Sequence, residues 1–184
     1  MKLYQDWDED LLRRRTRASE IVAEYNASYG RELEERSDIL RRLFKHLGRG
    51  VHFEQTLRCE FGDGISVGDG VIVGPDCILY DGGSITIGNN CLIGPRVGIY
   101  TSNHATDAAE RVAGGCWDLP VKIGDRVWLG GGVTVNPGSV IGSDTIIASG
   151  SVVRGRIPSG VIASGCPAKV VREITEADKT GFTG

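Results

Sequence analysis

His104 is the foremost candidate for proton transfer in this sequence. The chain has three histidines, and imidazole is the side chain that most readily accepts a proton near neutral pH. His46 falls in a predicted helix and His52 just before a repeat region, whereas His104 lies at the root of a segment, residues 101–120, that interrupts the repeat. Because insertions in repeat proteins map to functional loops, we predict that His104 is a general base.

The distribution of histidines and cysteines does not favour metal chemistry. A zinc site needs three or four converging nitrogen or sulfur ligands, whereas only His104 lies on the repeats and the five cysteines show no metal-ligand spacing. Cys77 and Cys91 fall on small-residue positions of the repeat, where they are predicted to be buried. We therefore expect no metal, reduced thiols and a cytoplasmic setting.

A six-residue repeat has to position these groups. Ile, Leu or Val recurs at every sixth position in two blocks: Val67, Val73, Leu79, then after a slip of two residues Ile87, Ile93, Ile99, and later Ile123, Leu129, Val135, Ile141, Ile147, Val153. Four residues after most of them comes a small or modest side chain: Val71, Cys77, Cys91, Val97, Val127, Val133, Ser139, Thr145, Ser151. This period fits neither a helix nor an alternating strand and is typical of a β-solenoid, in which three hexads close one triangular coil.

The first fifty residues follow a helical pattern instead. Apolar residues share one helical face in two groups: Leu11, Ala18, Ile21, Val22, Tyr25 and Leu33, Leu40, Leu43, Phe44, Leu47. They predict a helical hairpin over residues 8–47, ended by Gly48, that covers one end of the solenoid. We divide the chain into a helical cap (1–50), a solenoid (51–165) with a loop (101–120), and a C-terminal tail (166–184).

The composition argues against nucleic-acid and membrane partners. The formal net charge is -3, and acidic residues surround the basic run Arg13–Arg17, which favours a solvated helix face. No apolar stretch approaches the roughly 20 residues that span a bilayer. The acidic start Met1–Asp10 also lacks the apolar core of a secretory signal, so we expect neither export nor membrane insertion.

The repeats and several motifs together resemble one enzyme family. These motifs are Asn103-His104 at the loop root, Val127–Gly130, Asn136-Pro137-Gly138, Ala148–Val153 and Ser164–Arg172. The sequence is similar to the hexapeptide-repeat O-acetyltransferases, in the branch of the maltose and galactoside acetyltransferases. The resemblance implies a left-handed parallel β-helix and a homotrimer, with acetyl coenzyme A in a cleft between subunits.

The resemblance also implies a mechanism and a donor site. His104 would take the proton of an acceptor hydroxyl that attacks the thioester directly, a backbone N–H would stabilise the oxyanion, and a backbone carbonyl or carboxylate would hold the second imidazole nitrogen. Residues matching the family's co-substrate positions, or lying close to them, are Trp128, Gly130, Gly131, Ser149, Arg154, Lys169 and Arg172. The basic ones suit the phosphates of the coenzyme.

The acceptor positions match the family only in part. Asp6 and Asp81 match acidic acceptor contacts, and Trp128 lies beside the acceptor cleft. Asp76, in Gly74-Pro75-Asp76, replaces the usual Asn-x-Asn pair, and Cys116 stands where many relatives carry glutamate. Because ionised carboxylates only accept hydrogen bonds, we expect a neutral or amine-bearing hydroxyl compound, a sugar or a relative of one, to be preferred over anionic acceptors and plain maltose, glucose or galactosides.

Two alternatives come from other functional classes. A trimer of this fold could be a non-catalytic scaffold, against which the presence of His104, Trp128 and Lys169 argues. A metal hydratase similar to the γ-type carbonic anhydrases would need three histidines around one zinc, and the sequence lacks them on the repeats.

Overall fold

A parallel β-solenoid forms the body of the protein in the computed structural model, which describes residues 3–183. Its three helices are α1 (Glu9–Ala27), α2 (Leu33–Leu43) and α3 (Ala108–Val112). In chain order, the strands are β1 (Tyr4–Gln5), β2 (His46–Leu47), β3 (His52–Phe53), β4 (Arg58–Cys59), β5 (Ile65–Val67), β6 (Ile72–Val73), β7 (Ile78–Tyr80), β8 (Ile85–Ile87), β9 (Leu92–Ile93), β10 (Gly98–Tyr100), β11 (Ser102–His104), β12 (Gly115–Asp118), β13 (Val121–Ile123), β14 (Trp128–Leu129), β15 (Thr134–Val135), β16 (Val140–Ile141), β17 (Ile146–Ile147), β18 (Val152–Val153), β19 (Arg156–Ile157), β20 (Val161–Gly165) and β21 (Ala168–Glu173).

Three sheets form the faces of the triangular solenoid. Sheet I contains β2, β5, β8, β13, β16 and β19; sheet II contains β3, β6, β9, β14, β17 and β20, with β21 added; sheet III contains β4, β7, β10, β15 and β18. The chain visits the sheets in the order I, II, III in every complete coil, and the coil-to-coil pairing is parallel. We name the three corners by the sheets they join: the I–II, II–III and III–I edges.

The hexad pattern specifies the core. Every aliphatic position of the repeat and every small position four residues later is buried. Stacking of these positions gives one continuous apolar column, so burial by neighbouring coils stabilises each coil. The turns at the edges are tight. A Cβ on Gly88 would lie 2.6 Å from the backbone carbonyl carbon of Gly124 in the next coil, and only glycine, which has no Cβ, avoids this clash. The predicted solenoid, with its helical hairpin and single extruded loop, is confirmed.

The helical hairpin is shorter than the apolar pattern predicted. Asp8 caps the start of α1 by accepting a hydrogen bond from the N–H of Asp10, and α2 ends at Leu43. Phe44 is already extended and packs edge-to-face on Phe53. The expectation that the helix continues to residue 47 and ends at Gly48 is therefore wrong, because Phe44 and Leu47 pack against the core from the start of the first coil.

The C-terminal tail contains regular structure. β21 folds back on β20 as an antiparallel pair and widens sheet II at the last coil. A short 3₁₀ turn, Glu176–Asp178, follows. Residues 1–2 and 184, the outer ends of the predicted cap and tail, lie outside the described residues.

Candidate active site

His104 lies on a hairpin that leaves the solenoid at the III–I edge. The chain passes from β10 into β11, runs through α3, and returns along β12 before entering β13. β11 and β12 are antiparallel, and β1 from the N-terminal segment pairs with the other side of β12. The cap and the loop thus build one small three-stranded sheet, which holds His104 in an exposed position at its edge.

The surroundings of His104 differ from those expected. No residue between 3 and 183 makes a hydrogen bond to its imidazole, so the predicted carbonyl or carboxylate partner is absent from this part of the chain. The residue directly opposite on β12 is Cys116, whose buried thiol donates to the Tyr4 hydroxyl at 3.3 Å. Burial, with Cys116 and Asp118 nearby, raises the pKa of the Tyr4 phenol, which therefore remains protonated.

A cavity of about 800 Å³ opens beside His104 along the III–I edge. It is lined by Tyr80, Tyr100, Ser102, Asn103, His104, Leu119, Asn136, Pro137, Gly138, Arg154 and Gly155. Of the residues predicted for the site, the cavity therefore brings together His104 and Arg154.

One wall of this cavity is a column of outward side chains on sheet III. The strand register stacks Tyr80 on Tyr100, and the residues that follow β15 and β18, Asn136 and Arg154, continue the column. The tyrosine rings lie 6.4 Å apart between centroids. Neither tyrosine was predicted from the sequence. Each directly follows an inward repeat position, Leu79 or Ile99, and the residue after an inward position faces outward.

A charged cluster continues the column toward the cap. Glu60, which follows β4, occupies the place above Tyr80. Arg15 of α1 donates two hydrogen bonds to Oε1 of Glu60, at 3.0 and 2.7 Å, and also forms an ion pair with Asp6. We call Asp6, Arg15 and Glu60 the Arg15 cluster. Asp6 is thus half-buried near the cavity. Arg15 and Glu60 were not predicted from the sequence, because the contact between them depends on how the cap packs on the solenoid.

Asp81 does not face an acceptor, contrary to the sequence prediction. It is 1% exposed, and its carboxylate accepts hydrogen bonds from the backbone N–H groups of Glu60, Phe61 and Gly64 at 2.9–3.2 Å. Burial raises the pKa of the Asp81 carboxyl, and these N–H donors oppose the rise. Asp81 therefore holds the turn between β4 and β5 together.

The residues predicted to bind the co-substrate lie mainly on the II–III edge. Gly130, Gly131 and Ser149 occupy turns between sheets II and III in successive coils. Within the described chain, the backbone N–H groups of Gly131 and Ser149 make no hydrogen bond, so both are available to a ligand. Asp76 lies on this same II–III edge, away from the cavity at His104. Its carboxylate accepts a hydrogen bond from Thr56 at 2.7 Å.

Trp128 and the basic residues are distributed around this edge. Trp128 points outward from sheet II and is 50% exposed, as predicted for an apolar wall. Lys169 lies on β21, where it pairs with Ser164 of β20 and is exposed. Arg172 is engaged by Asp178 in a bidentate ion pair with distances of 2.8 and 2.6 Å, which lowers the pKa of that carboxyl and leaves Arg172 less available for phosphate than predicted.

The two groups of residues lie on different edges of one solenoid. The strands of sheet III separate the II–III edge from the III–I edge by about five residues, or roughly 16 Å. His104 and the N–H groups of Gly131 and Ser149 therefore do not share a pocket within one chain. Among residues 3–183 there is no cluster of His, Cys, Asp and Glu able to hold a metal ion, and no helix long and apolar enough to cross a membrane.

Comparison with known protein families gives three matches along the chain. Residues 2–48 match the maltose acetyltransferase hexapeptide capping motif. Residues 84–102 match the hexapeptide repeat of succinyl-transferase, and residues 120–155 match the bacterial transferase hexapeptide. The matches cover the helical cap and repeats on both sides of the extruded loop.

Individual relatives match over nearly the whole chain. Galactoside O-acetyltransferase of Escherichia coli is 33% identical over 97% of this chain and 88% of its own length. The crystal structure of a maltose O-acetyltransferase from Clostridium difficile has a TM-score of 0.92 at 41% identity, covering 95% of this chain and 94% of that one. A hexapeptide-repeat acetyltransferase of Vibrio cholerae, complexed with acetyl coenzyme A, has a TM-score of 0.87 at 32% identity, covering 94% and 93%.

Proposed function

This chain belongs to the hexapeptide-repeat O-acetyltransferases of the maltose and galactoside type, and on that premise we propose that it acetylates a hydroxyl of a small acceptor with His104 as general base. Its relatives are acetyltransferases with coenzyme-bound structures, and acetyl coenzyme A is its co-substrate. The observation that carries the proposal is the position of His104, exposed and lining a cavity of about 800 Å³.

The chemistry needs one base and one oxyanion site. The imidazole of His104 accepts the hydroxyl proton, while the acceptor oxygen attacks the thioester carbonyl carbon. Collapse of the tetrahedral intermediate breaks the carbon–sulfur bond, and the imidazolium returns its proton to the departing thiolate. Because the thioester is already activated, no covalent enzyme intermediate is required. The N–H of Gly131, which bonds to none of residues 3–183, is the donor best suited to stabilise the oxyanion.

The co-substrate fits the II–III edge. The N–H groups of Gly131 and Ser149 can bind the amide carbonyls of pantetheine, and Trp128 offers an apolar face beside them. Lys169 stands near the end of the same edge and suits a phosphate. Arg154, at the base of the cavity on the III–I edge, can add a second cationic contact from a neighbouring subunit.

A trimer would unite the two edges. The outward column of sheet II is apolar and exposed at Ile72, Leu92 and Trp128, whereas the equivalent column of sheet I carries Ser66, Thr86 and Lys122. An apolar column of this kind favours cover by another protein surface. Closed three-fold assembly would bring the II–III edge of one subunit to the III–I edge of the next, and so form three sites.

A direct test is release of free coenzyme A thiol from acetyl coenzyme A with a panel of hydroxylated acceptors. We expect acceptor-dependent thiol release and an O-acetylated product identified by mass spectrometry. Acetyl coenzyme A binding without transfer to any acceptor would instead favour the non-catalytic scaffold. Longer acyl thioesters tested beside acetyl coenzyme A would define the donor.

A further inference from the structure

The Arg15 cluster carries an unbalanced buried charge. The Glu60 side chain is only 5% exposed, and its Oε2 has no hydrogen-bond partner among residues 3–183. Arg15 is the single cation shared by two carboxylates, Asp6 and Glu60, so the cluster has a net charge of about -1 when all three groups are ionised. A buried carboxylate oxygen without a partner is costly, so its retention points to a partner that arrives with a ligand.

Glu60 adjoins the cavity that contains His104 through Tyr80 and is not itself one of the lining residues. Its place in the column lies directly above Tyr80, and Tyr80 lines the cavity. Burial raises the pKa of the Tyr80 phenol, and the Glu60 carboxylate raises it further. The ring of Tyr80 is partly exposed and lies beside Tyr100. Aromatic faces beside a carboxylate form an environment that attracts an ammonium group.

The column has opposite charges at its two ends. Glu60 and Arg154 are four coil spacings apart, about 19 Å along the solenoid. The cationic end suits the phosphates of the co-substrate, whereas the anionic end lies toward the cap, on the far side of His104. The anionic end at Glu60, which the co-substrate does not occupy, therefore attracts a cationic acceptor and repels an anionic one.

We propose that Glu60, supported by Asp6 and Arg15 and acting with Tyr80, recognises a positively charged group, so that the acceptor is a small hydroxyl compound bearing an ammonium group. This deepens the function proposed above and depends on it. It also replaces the sequence-based reason for such a preference: Asp81 is saturated by backbone N–H groups and Asp76 lies on the other edge. Glu60 becomes the residue that determines specificity.

The test compares acceptors that differ in charge and little in shape. Choline and 3,3-dimethylbutan-1-ol form one pair, in which the quaternary nitrogen cannot itself be acetylated. Glucosamine and glucose form a second pair, with the acetylated atom assigned by NMR. We expect the wild-type kcat/KM to favour the cationic member by about tenfold or more, and Glu60→Gln to reduce this ratio by a similar factor.

Asp63→Asn is the matched control. Asp63 pairs with Arg14 at the same junction between cap and solenoid, but its side chain is 45% exposed, whereas that of Glu60 is buried beside Tyr80. For Asp63→Asn, the ratio of kcat/KM between the cationic and the neutral acceptor should stay within about twofold of the wild type, since exposed ion pairs contribute little. If Glu60→Gln fails to fold by circular dichroism, Tyr80→Phe decides instead: it keeps the ring and removes the hydroxyl of the lining residue that neighbours Glu60, and the ratio should again fall.

The outcomes separate the two proposals. If both members of each pair are acetylated equally well, or if neither Glu60→Gln nor Tyr80→Phe changes the ratio, ammonium recognition is overturned and acetyl transfer stands. If no acceptor of any charge releases coenzyme A thiol from a protein that binds acetyl coenzyme A, the proposed function and this inference fail together.

Discussion

Among single residues, the same sequence evidence led to different structural outcomes for His104 and Asp81. Both are polar residues beside a break in the hexad pattern. His104 is exposed at a cavity, whereas Asp81 is buried beneath three backbone N–H groups. The donors to Asp81 come from about twenty residues earlier in the chain, in the preceding coil, so a reading of the local sequence could not identify them.

Replacement of His104 tests its chemical role. We expect His104→Ala to reduce turnover by a factor on the order of 10² to 10⁴, the usual contribution of a general base. Acetyl coenzyme A binding and oligomeric state should not change, because the side chain is exposed and bonded to no described residue. His46→Ala, on the outer surface of sheet I, is the control and should stay near wild-type activity. A His104→Ala enzyme with normal turnover would remove His104 from the mechanism.

Replacement of Asp81 tests whether it is a structural residue. Asp81→Ala leaves three buried N–H groups without acceptors, so we expect the free energy of unfolding to fall by about 3–5 kcal/mol in urea titrations. Asp144→Asn, which neutralises an exposed partner of Arg126 on the same solenoid and tolerates the positive φ of this position, should cost about 1 kcal/mol or less. A higher acceptor KM for Asp81→Ala with unchanged stability would instead restore the acceptor contact that the sequence predicted.

At the scale of elements, the solenoid could be predicted because each hexad is specified locally. An inward aliphatic residue, a small corner residue and a turn recur within six positions, and neighbouring coils repeat the same contacts. The slip between Leu79 and Ile87 was visible too, since the turn Asp81–Ser84 lengthens that coil. Residues that pack between elements were harder to assign: Phe44 and Leu47 continue a helical apolar face, yet they belong to the first coil.

The site was predictable only where one coil contains it. His104 stands out because the repeat stops beside it, and Gly130-Gly131 because glycines replace side chains at an edge. The Arg15 cluster joins the N-terminal segment, α1 and the first coil, and β1 reaches Cys116 from more than one hundred residues away in the sequence. Those contacts depend on how the cap lies against the loop, which the hexad pattern does not determine.

The carbonyl oxygen of Phe53 is one of the points at which the cap is attached to the solenoid. Arg36 is buried, donates to the carbonyl oxygen of Phe53 at 2.8 Å, and stacks on the ring of Tyr25, whose hydroxyl donates to the same oxygen. We expect Arg36→Ala to lower the free energy of unfolding by about 3 kcal/mol, because it removes packing as well as a charged hydrogen bond. Arg31→Ala is an exposed control in the same hairpin and should change stability by no more than about 0.5 kcal/mol. Equal effects from both substitutions would show that this attachment contributes nothing specific.

At the scale of the whole molecule, each sheet of the solenoid has its own character. The outer surface of sheet I is polar and that of sheet II is apolar. The column from Glu60 to Arg154 runs along the III–I edge of sheet III. The proposed catalytic and donor edges lie on opposite sides of sheet III and cannot act together within one subunit. In the proposed trimer a neighbour covers sheet II and unites the two edges, so assembly and activity should be lost together.

Leu92 and Thr86 provide a matched test of that coupling. Both point outward from adjacent strands of one coil, Leu92 on sheet II with 50% exposure and Thr86 on sheet I. Leu92→Asp would bury an unpaired charge in the proposed interface, so we expect sedimentation to give a folded monomer of 19.7 kDa in place of a trimer. Turnover should fall on the order of 10²-fold or more, because His104 and the donor edge no longer meet. Thr86→Asp should leave a fully active trimer. A Leu92→Asp protein that stays trimeric, or a monomer with full activity, would contradict a site shared between subunits.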